Sequence, residues 1–491
     1  MTTRPARERI RVLLGAGLVA GILVLPLVLL LPRPEPPRDN PRRILPKRLP
    51  HTDHRALLPG PYPEGPSVTR ACLECHEEAG WEVMRTAHWR WEGEPVRLPG
   101  RADPVRIGKK TAINNFCIGV QSNWPSCTSC HAGYGWEDET FDFTNVENVD
   151  CLVCHDRSGV YVKGESGHPA PGVDLVEAAG SVGSPTRENC GGCHFRGGGG
   201  DAVKHGDLDK SLRNPRERID VHMGRHEMVC VDCHQTKNHV IAGRSISVSA
   251  DKANRLLCID CHAIEPHRDE RLNAHTAAVA CQTCHIPFVA IREATKVHWD
   301  WSAAGLDLED DPRTYLKKKG RFVYEQLLIP EYVWFNGTAD HYLMGDRIDT
   351  AGVTPLNAPR GSPRDPYSAI WPFKVHTGRQ IYDREHLHLL VPKTAGEDGY
   401  WEIFDWDRAA RLGSEKTGLA YSGSYGFART DMYWPLTHMV APKENSLQCG
   451  DCHAPGGRLD WAALGYPGDP IHWGGRTGLR AAGPPWEEES R

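Results

Sequence analysis

The longest apolar run comes at the start of the chain. Residues 12–32 carry no charge over 21 positions, which is enough for a helix to cross a bilayer. Pro32, Arg33 and Pro34 follow it in place of a small-residue cleavage pattern. Residues 1–32 therefore read as an uncleaved membrane anchor, with a cleaved signal segment as the alternative. Residues 33–65 are Pro-rich and read as an extended tether. Beyond them no long heptad pattern appears. Turn-rich runs such as "WFNGTADHYLMGD" and "LNAPRGSPRDP" interrupt the pattern, and helix periodicity is visible only near 381–391 and 401–412. The expected body, residues 66–491, is mainly α with much irregular structure.

Cysteine changes this picture. The chain has 17 cysteines, and 16 of them fall into eight C-x-x-C-H units. These are Cys72–Cys75–His76, Cys127–Cys130–His131, Cys151–Cys154–His155 and Cys190–Cys193–His194, then Cys230–Cys233–His234, Cys258–Cys261–His262, Cys281–Cys284–His285 and Cys449–Cys452–His453. Chance predicts about 0.03 such matches at this composition. Neither zinc sites nor disulfide frameworks require a histidine after every second cysteine. Attachment of c-type haem does: two thiols form thioethers and the histidine ligates the iron. The expected cofactors are eight covalently attached haem c groups, each with its iron.

Seven motifs crowd into residues 72–285, and the eighth stands alone at 449–453. Gaps of 23 to 40 residues within most of the first seven leave no room for a separate core around each haem. One multihaem cytochrome c body packed around its porphyrins is the expected architecture. The haem-free stretch 286–448 would return ligands to haems bound earlier. Of the 17 histidines outside the motifs, His88, His222, His239, His267, His275, His376 and His438 are the candidate distal ligands. His205 and His226 are reserves for an eighth.

Charge and attachment chemistry set location and partners. The net charge is −5 before haem propionates are added, which argues against nucleic acid. Arginines flank the apolar segment on both sides, so the positive-inside rule does not orient it. Covalent haem is attached outside the bacterial cytoplasmic membrane, which puts the body in the periplasm. Such a body needs a periplasmic or membrane electron donor, and the N-terminal segment contacts the membrane.

Together with the eight motifs, "NNFC…CTSCHAGYGW", "VDCLVCHD", "CGGCHFRGGGGDAVKHGDLD" and "VACQTCHIP" resemble the octahaem tetrathionate reductase family over residues 65–470. That family is related to hydroxylamine oxidoreductases and pentahaem nitrite reductases. The resemblance implies seven bis-histidine haems and one catalytic haem, the second in sequence, whose iron bears a lysine. It maps the family's catalytic residues onto Asn114, Cys117, Asp201 and Lys204. Lys163 is the other lysine that can serve. Glycines 197–200 would let backbone approach a porphyrin.

Cys117 is the one cysteine outside the motifs. The bland reading is a small buried hydrophobe. Beside a catalytic haem, its thiolate can attack the S–S bond of tetrathionate by exchange. For nitrite or hydroxylamine it would only shape the pocket. The expected function is an oxidoreductase, a periplasmic reductase of small inorganic sulfur or nitrogen substrates. The rivals are a non-enzymatic electron conduit and an enzyme oxidising hydroxylamine.

Overall fold

The computed structural model describes Leu45 and residues 51–473 apart from Cys117. The longest element among these residues is a strand, and it lies in the stretch without haem motifs. A mixed sheet is built there from β1 (Thr295–Asp300), β2 (Tyr315–Leu316), β3 (Gly320–Glu325), β4 (Glu331–Phe335), β5 (Thr354–Pro355), β6 (Ala369–Asp383) and β7 (Tyr425–Pro435). The order is β2-β3-β1-β6-β7-β5, with β4 pairing the early part of β6. β6 and β7 are antiparallel from Phe373↔Pro435 to Asp383↔Tyr425, while β1 runs parallel to β6.

The alternation of β7 explains why it is a strand. Gly426, Ala428, Thr430, Met432 and Trp434 are buried, and the residues between them are more exposed. The strand packs into a cluster that includes Trp299, Trp301, Phe322, Ile381, Leu390, Trp406, Met432 and Trp434. Residues 295–435 thus have an aromatic protein core of their own, which the expectation of a body packed around porphyrins did not include.

The expected fold class needs correcting in the same place. Among the described residues 25% are helical and 17% strand, so the body is not mainly α, while the expected irregular structure is extensive. The pattern at 381–391 is the end of β6 followed by a turn in which Asp383 accepts from the Glu385 and His386 amides. The helix expected at 401–412 is present as Tyr400–Ile403 and Trp406–Thr417. Phe404, with φ 54°, breaks it, and Asp405 caps the second piece by accepting from the Arg408 amide.

The motif-bearing part has short helices, and several are the motifs themselves. Cys281–His285 and Cys449–His453 are each one helical turn, and Arg187–His194 ends on its motif. Spacing of i, i+3 and i+4 brings both thiols and the imidazole to one helix face, as a single porphyrin requires. Small apolar clusters hold these turns, such as Leu58, Val68, Leu152, Leu175, Ala178 and Ala179.

Leu58 shortens the expected tether. Residues 54–58 form a turn, with the Leu57 and Leu58 amides donating to His54 O, and Leu58 is buried against the body. The described residues from 51 onward group as one compact unit. The anchor expected over residues 1–32 lies outside the described residues. No helix among the described residues is long and apolar enough to cross a membrane.

Candidate haem sites and catalytic pocket

Seven of the eight motif histidines face a second imidazole across a gap of one atom's width. The ring centroids are 6.3 Å apart for His54–His76, 6.0 Å for His88–His194 and 6.5 Å for His155–His239. They are 6.1 Å apart for His222–His262, 6.2 Å for His234–His438, 6.1 Å for His267–His285 and 6.3 Å for His275–His453. An imidazole nitrogen binds a metal at about 2.0 Å. Two such bonds plus half of each ring span these gaps, so each pair can hold one haem iron between its rings.

Hydrogen bonds on the far side of the rings fit the same use. The Nδ1 of His155 lies 2.8 Å from Gly183 O, and that of His234 lies 2.7 Å from Ala242 O. The Nδ1 of His275 lies 2.6 Å from Arg271 O. Glu82 meets His239 Nδ1 at 2.7 Å, and Asp469 meets His453 Nδ1 at 2.7 Å. With Nδ1–H donating, Nε2 keeps its lone pair for a metal. Among the described residues no three His, Cys, Asp or Glu converge as a separate metal site.

The expected distal set is corrected at one position. His88, His222, His239, His267, His275 and His438 each face a motif histidine, but His376 does not. Asn115 grips His376 twice: its side-chain amide donates to His376 O at 2.7 Å, and its Oδ1 accepts from Nδ1 at 2.8 Å. His376 is fully buried, and its Nε2 has no hydrogen-bond partner. The seventh partner is His54, from the stretch read as tether. Among the reserves, His205 packs edge-on to Trp434 at 5.0 Å.

His131 is the exception among the motif histidines. Its ring sits amid Trp89, Trp91, Trp136, Phe141 and Phe143 at centroid distances of 4.7 to 6.2 Å. Its Nε2 donates to the carbonyl of Trp89 at 2.7 Å, and Nδ1 is buried without a partner. Burial pushes the ring's pKa down to about 3. The nitrogen that C-x-x-C-H ordinarily offers to iron is thus turned to a backbone carbonyl.

The two lysines have different surroundings. Lys163 Nζ donates to His131 O at 2.7 Å, Gly133 O at 3.0 Å and Asp150 Oδ2 at 2.6 Å. That amine is committed to a buried ion pair. Lys204 Nζ lies 5.2 Å from the centroid of the Trp434 ring. Asp201, three residues before it, pairs with Lys210 at 3.3 Å.

The "NNFC" and "GGGGDAVKH" segments meet beside β6 and β7. Phe116 packs on Trp434 at 5.8 Å, the same ring that Lys204 overlies. A Cβ on Gly198 would fall 2.0 Å from the Phe116 ring, and one on Gly199 would fall 3.0 Å from Trp299. The glycines therefore let backbone approach these two aromatic rings. Asn114 closes its own loop: its amide donates to Ile118 O at 2.8 Å, and its Oδ1 accepts from the Phe116 amide. Cys117, in the same loop, lies outside the described residues.

The attachment cysteines order the motifs in space. The Cys72 and Cys151 thiols are neighbours, as are those of Cys130 and Cys193, Cys190 and Cys230, and Cys258 and Cys281. Cys154 lies near Cys190, Cys233 near Cys261, and Cys284 near Cys452. The line runs first, third, fourth, fifth, sixth, seventh, eighth, and the second motif joins at the fourth.

Comparison with known proteins agrees with this geometry. Residues 296–456 match the sequence model of a family described as bacterial cytochrome c. An octahaem cytochrome c from Shewanella oneidensis has a similar structure, with a TM-score of 0.81 and 48% identity. The match covers 88% of this chain and 99% of that one. An uncharacterized protein of Archaeoglobus fulgidus is 25% identical over 229 residues, 36% of this chain and 76% of its own length.

Proposed function

The chain belongs to the octahaem c-type cytochromes, which bind haem covalently, and from that premise we propose a periplasmic reductase with one lysine-ligated catalytic site. The observation that carries this reading is the asymmetry of the motif histidines. Seven face a second imidazole, and His131 alone has none and turns its Nε2 to Trp89. Seven bis-histidine haems would carry electrons along the line of attachment sites to the second motif, which branches off at the fourth.

Lys204 is the proposed iron ligand there. The amine of Lys163 is engaged by three oxygens, whereas Lys204 lies in the segment that packs against "NNFC". An amine ligates only when deprotonated, so iron binding would release the Lys204 proton. The bound haem would supply the electrons and an iron centre. Asn114 and Asp201 would orient a small sulfur or nitrogen oxyanion.

With tetrathionate, the Cys117 thiolate attacks a central sulfur, the S–S bond breaks and one thiosulfate leaves. Two electrons then cleave the mixed adduct, releasing the second thiosulfate and restoring the thiolate. Nitrite or hydroxylamine needs no thiol nucleophile. The test is Cys117→Ser, assayed with tetrathionate and with hydroxylamine on the same preparation. Selective loss of tetrathionate turnover by orders of magnitude supports the nucleophile. Equal loss of both activities would reduce Cys117 to pocket architecture.

A further inference from the structure

Two buried side chains from distant parts of the chain gather four successive backbone carbonyls around Lys204. Lys374 Nζ, from β6, donates to Val203 O at 2.7 Å and to Lys204 O at 3.2 Å. Thr295 Oγ1, at the start of β1, shares its proton between Ala202 O at 2.7 Å and His205 O at 3.2 Å. The pair is joined, since Lys374 Nζ also donates to Thr295 Oγ1 at 2.5 Å. Lys374 is 3% exposed and Thr295 is fully buried.

Regular secondary structure does not hold this segment in place. It belongs to no helix or strand, and Ala202 has φ 57°, a strained value for a residue with a Cβ. Buried carbonyls left without donors are costly, so the segment takes the path that these two side chains dictate. The sheet also fixes the donors themselves: β6 pairs with both β1 and β7. Cα of Lys374 stands opposite that of Trp434, the ring over which Lys204 lies.

We propose that Lys374 and Thr295 are positioning residues that set where the Lys204 amine projects. This rests on the reading of Lys204 as an iron ligand. The two side chains touch neither iron nor substrate, and they act through the backbone of residues 202–205. One amine and one hydroxyl from the sheet thereby set the path of the backbone at Lys204, a role no haem motif supplies.

The experiment uses haem-loaded protein and two shape-conserving variants. Lys374→Met keeps the chain length and removes the N–H donors, and Thr295→Val removes only the hydroxyl. Haem content and the bis-histidine EPR signals report whether the fold is intact. Each variant is expected to shift the EPR signal and midpoint potential of one haem and leave seven unchanged. Reductase turnover should fall at least tenfold for Lys374→Met and less for Thr295→Val. If Lys374→Met does not yield loaded protein, Thr295→Val alone decides.

Lys204→Ala separates the two readings. If it alters one haem while the loaded variants leave that haem unchanged, the positioning role is wrong and the ligation stands. If Lys204→Ala changes no haem, the ligation reading fails and the positioning role fails with it.

Discussion

A single histidine shows why a ligand set is hard to read from one dimension. His54 lies in a Pro-rich stretch that has every local mark of a linker, yet its ring faces His76 at 6.3 Å. His376 sits in "FKVHTG", a setting suited to ligation, and is instead held by Asn115. What makes a ligand is the imidazole opposite, and spacing along the chain does not encode that. His54→Ala should turn one low-spin haem high-spin in the visible and EPR spectra. His376→Ala should leave all seven bis-histidine signals in place; loss of one of them would restore His376 to the ligand set. Lys163 gives a contrast at the same scale. Its side chain is 7% exposed and that of its partner Asp150 is fully buried, and the Tyr134 and Tyr161 hydroxyls also donate to the carboxylate. Lys163→Met strands a buried charge and should cost about 3–5 kcal/mol in thermal unfolding. Lys204→Ala should cost far less stability and perturb one haem.

At the scale of elements, the motif helices were legible and the sheet was not. C-x-x-C-H names its own helical turn, and Asp405 and Gly418 bracket the helix Trp406–Thr417 as caps should. β6 hides because its buried positions include Lys374, His376, Gln380 and Asp383, which erase the apolar alternation that marks a strand. Those polar groups take partners far along the chain: Asn115 Oδ1 meets His376 Nδ1, and Thr430 donates to Gln380 Oε1. β7 alternates more cleanly, but Arg429 and Asp431 disguise it. The sheet does more than return ligands, since only His438 from residues 286–448 faces a motif histidine. It also packs against the segments that carry Phe116 and Lys204. Trp434 is 1% exposed and touches Phe116, His205 and Lys204 at once. Trp434→Ala should lower stability by about 3–5 kcal/mol from the cavity alone. It should also broaden the EPR signal of the haem proposed to take Lys204 as ligand, and a sharp unchanged signal would show that the ring plays no part in holding Lys204.

At the scale of the whole molecule, the two halves of the chain have different reasons to be folded. Residues 295–435 bury a continuous aromatic cluster that includes the stacked Trp299–Trp301 and Tyr400–Trp406 pairs, with centroids 4.5 and 3.7 Å apart. Residues 72–285 have short helices, small apolar clusters and facing imidazoles with a metal-sized gap between them. There the missing cohesion is what haem supplies, because binding to a site absent from the unfolded chain is itself folding free energy. Chain made without haem attachment should therefore lose structure unevenly. Limited proteolysis should cut first within 72–285 and more slowly within 295–435. The sheet half should not be fully protected, because Ile113, Phe116, Ile118 and Val203 of its cluster come from the haem-bearing half. Mass spectrometry of the early fragments reads this directly. A haem-free chain that resists cleavage evenly would show that protein packing alone suffices. Uniformly rapid cleavage would show that the sheet, too, depends on the haems beside it.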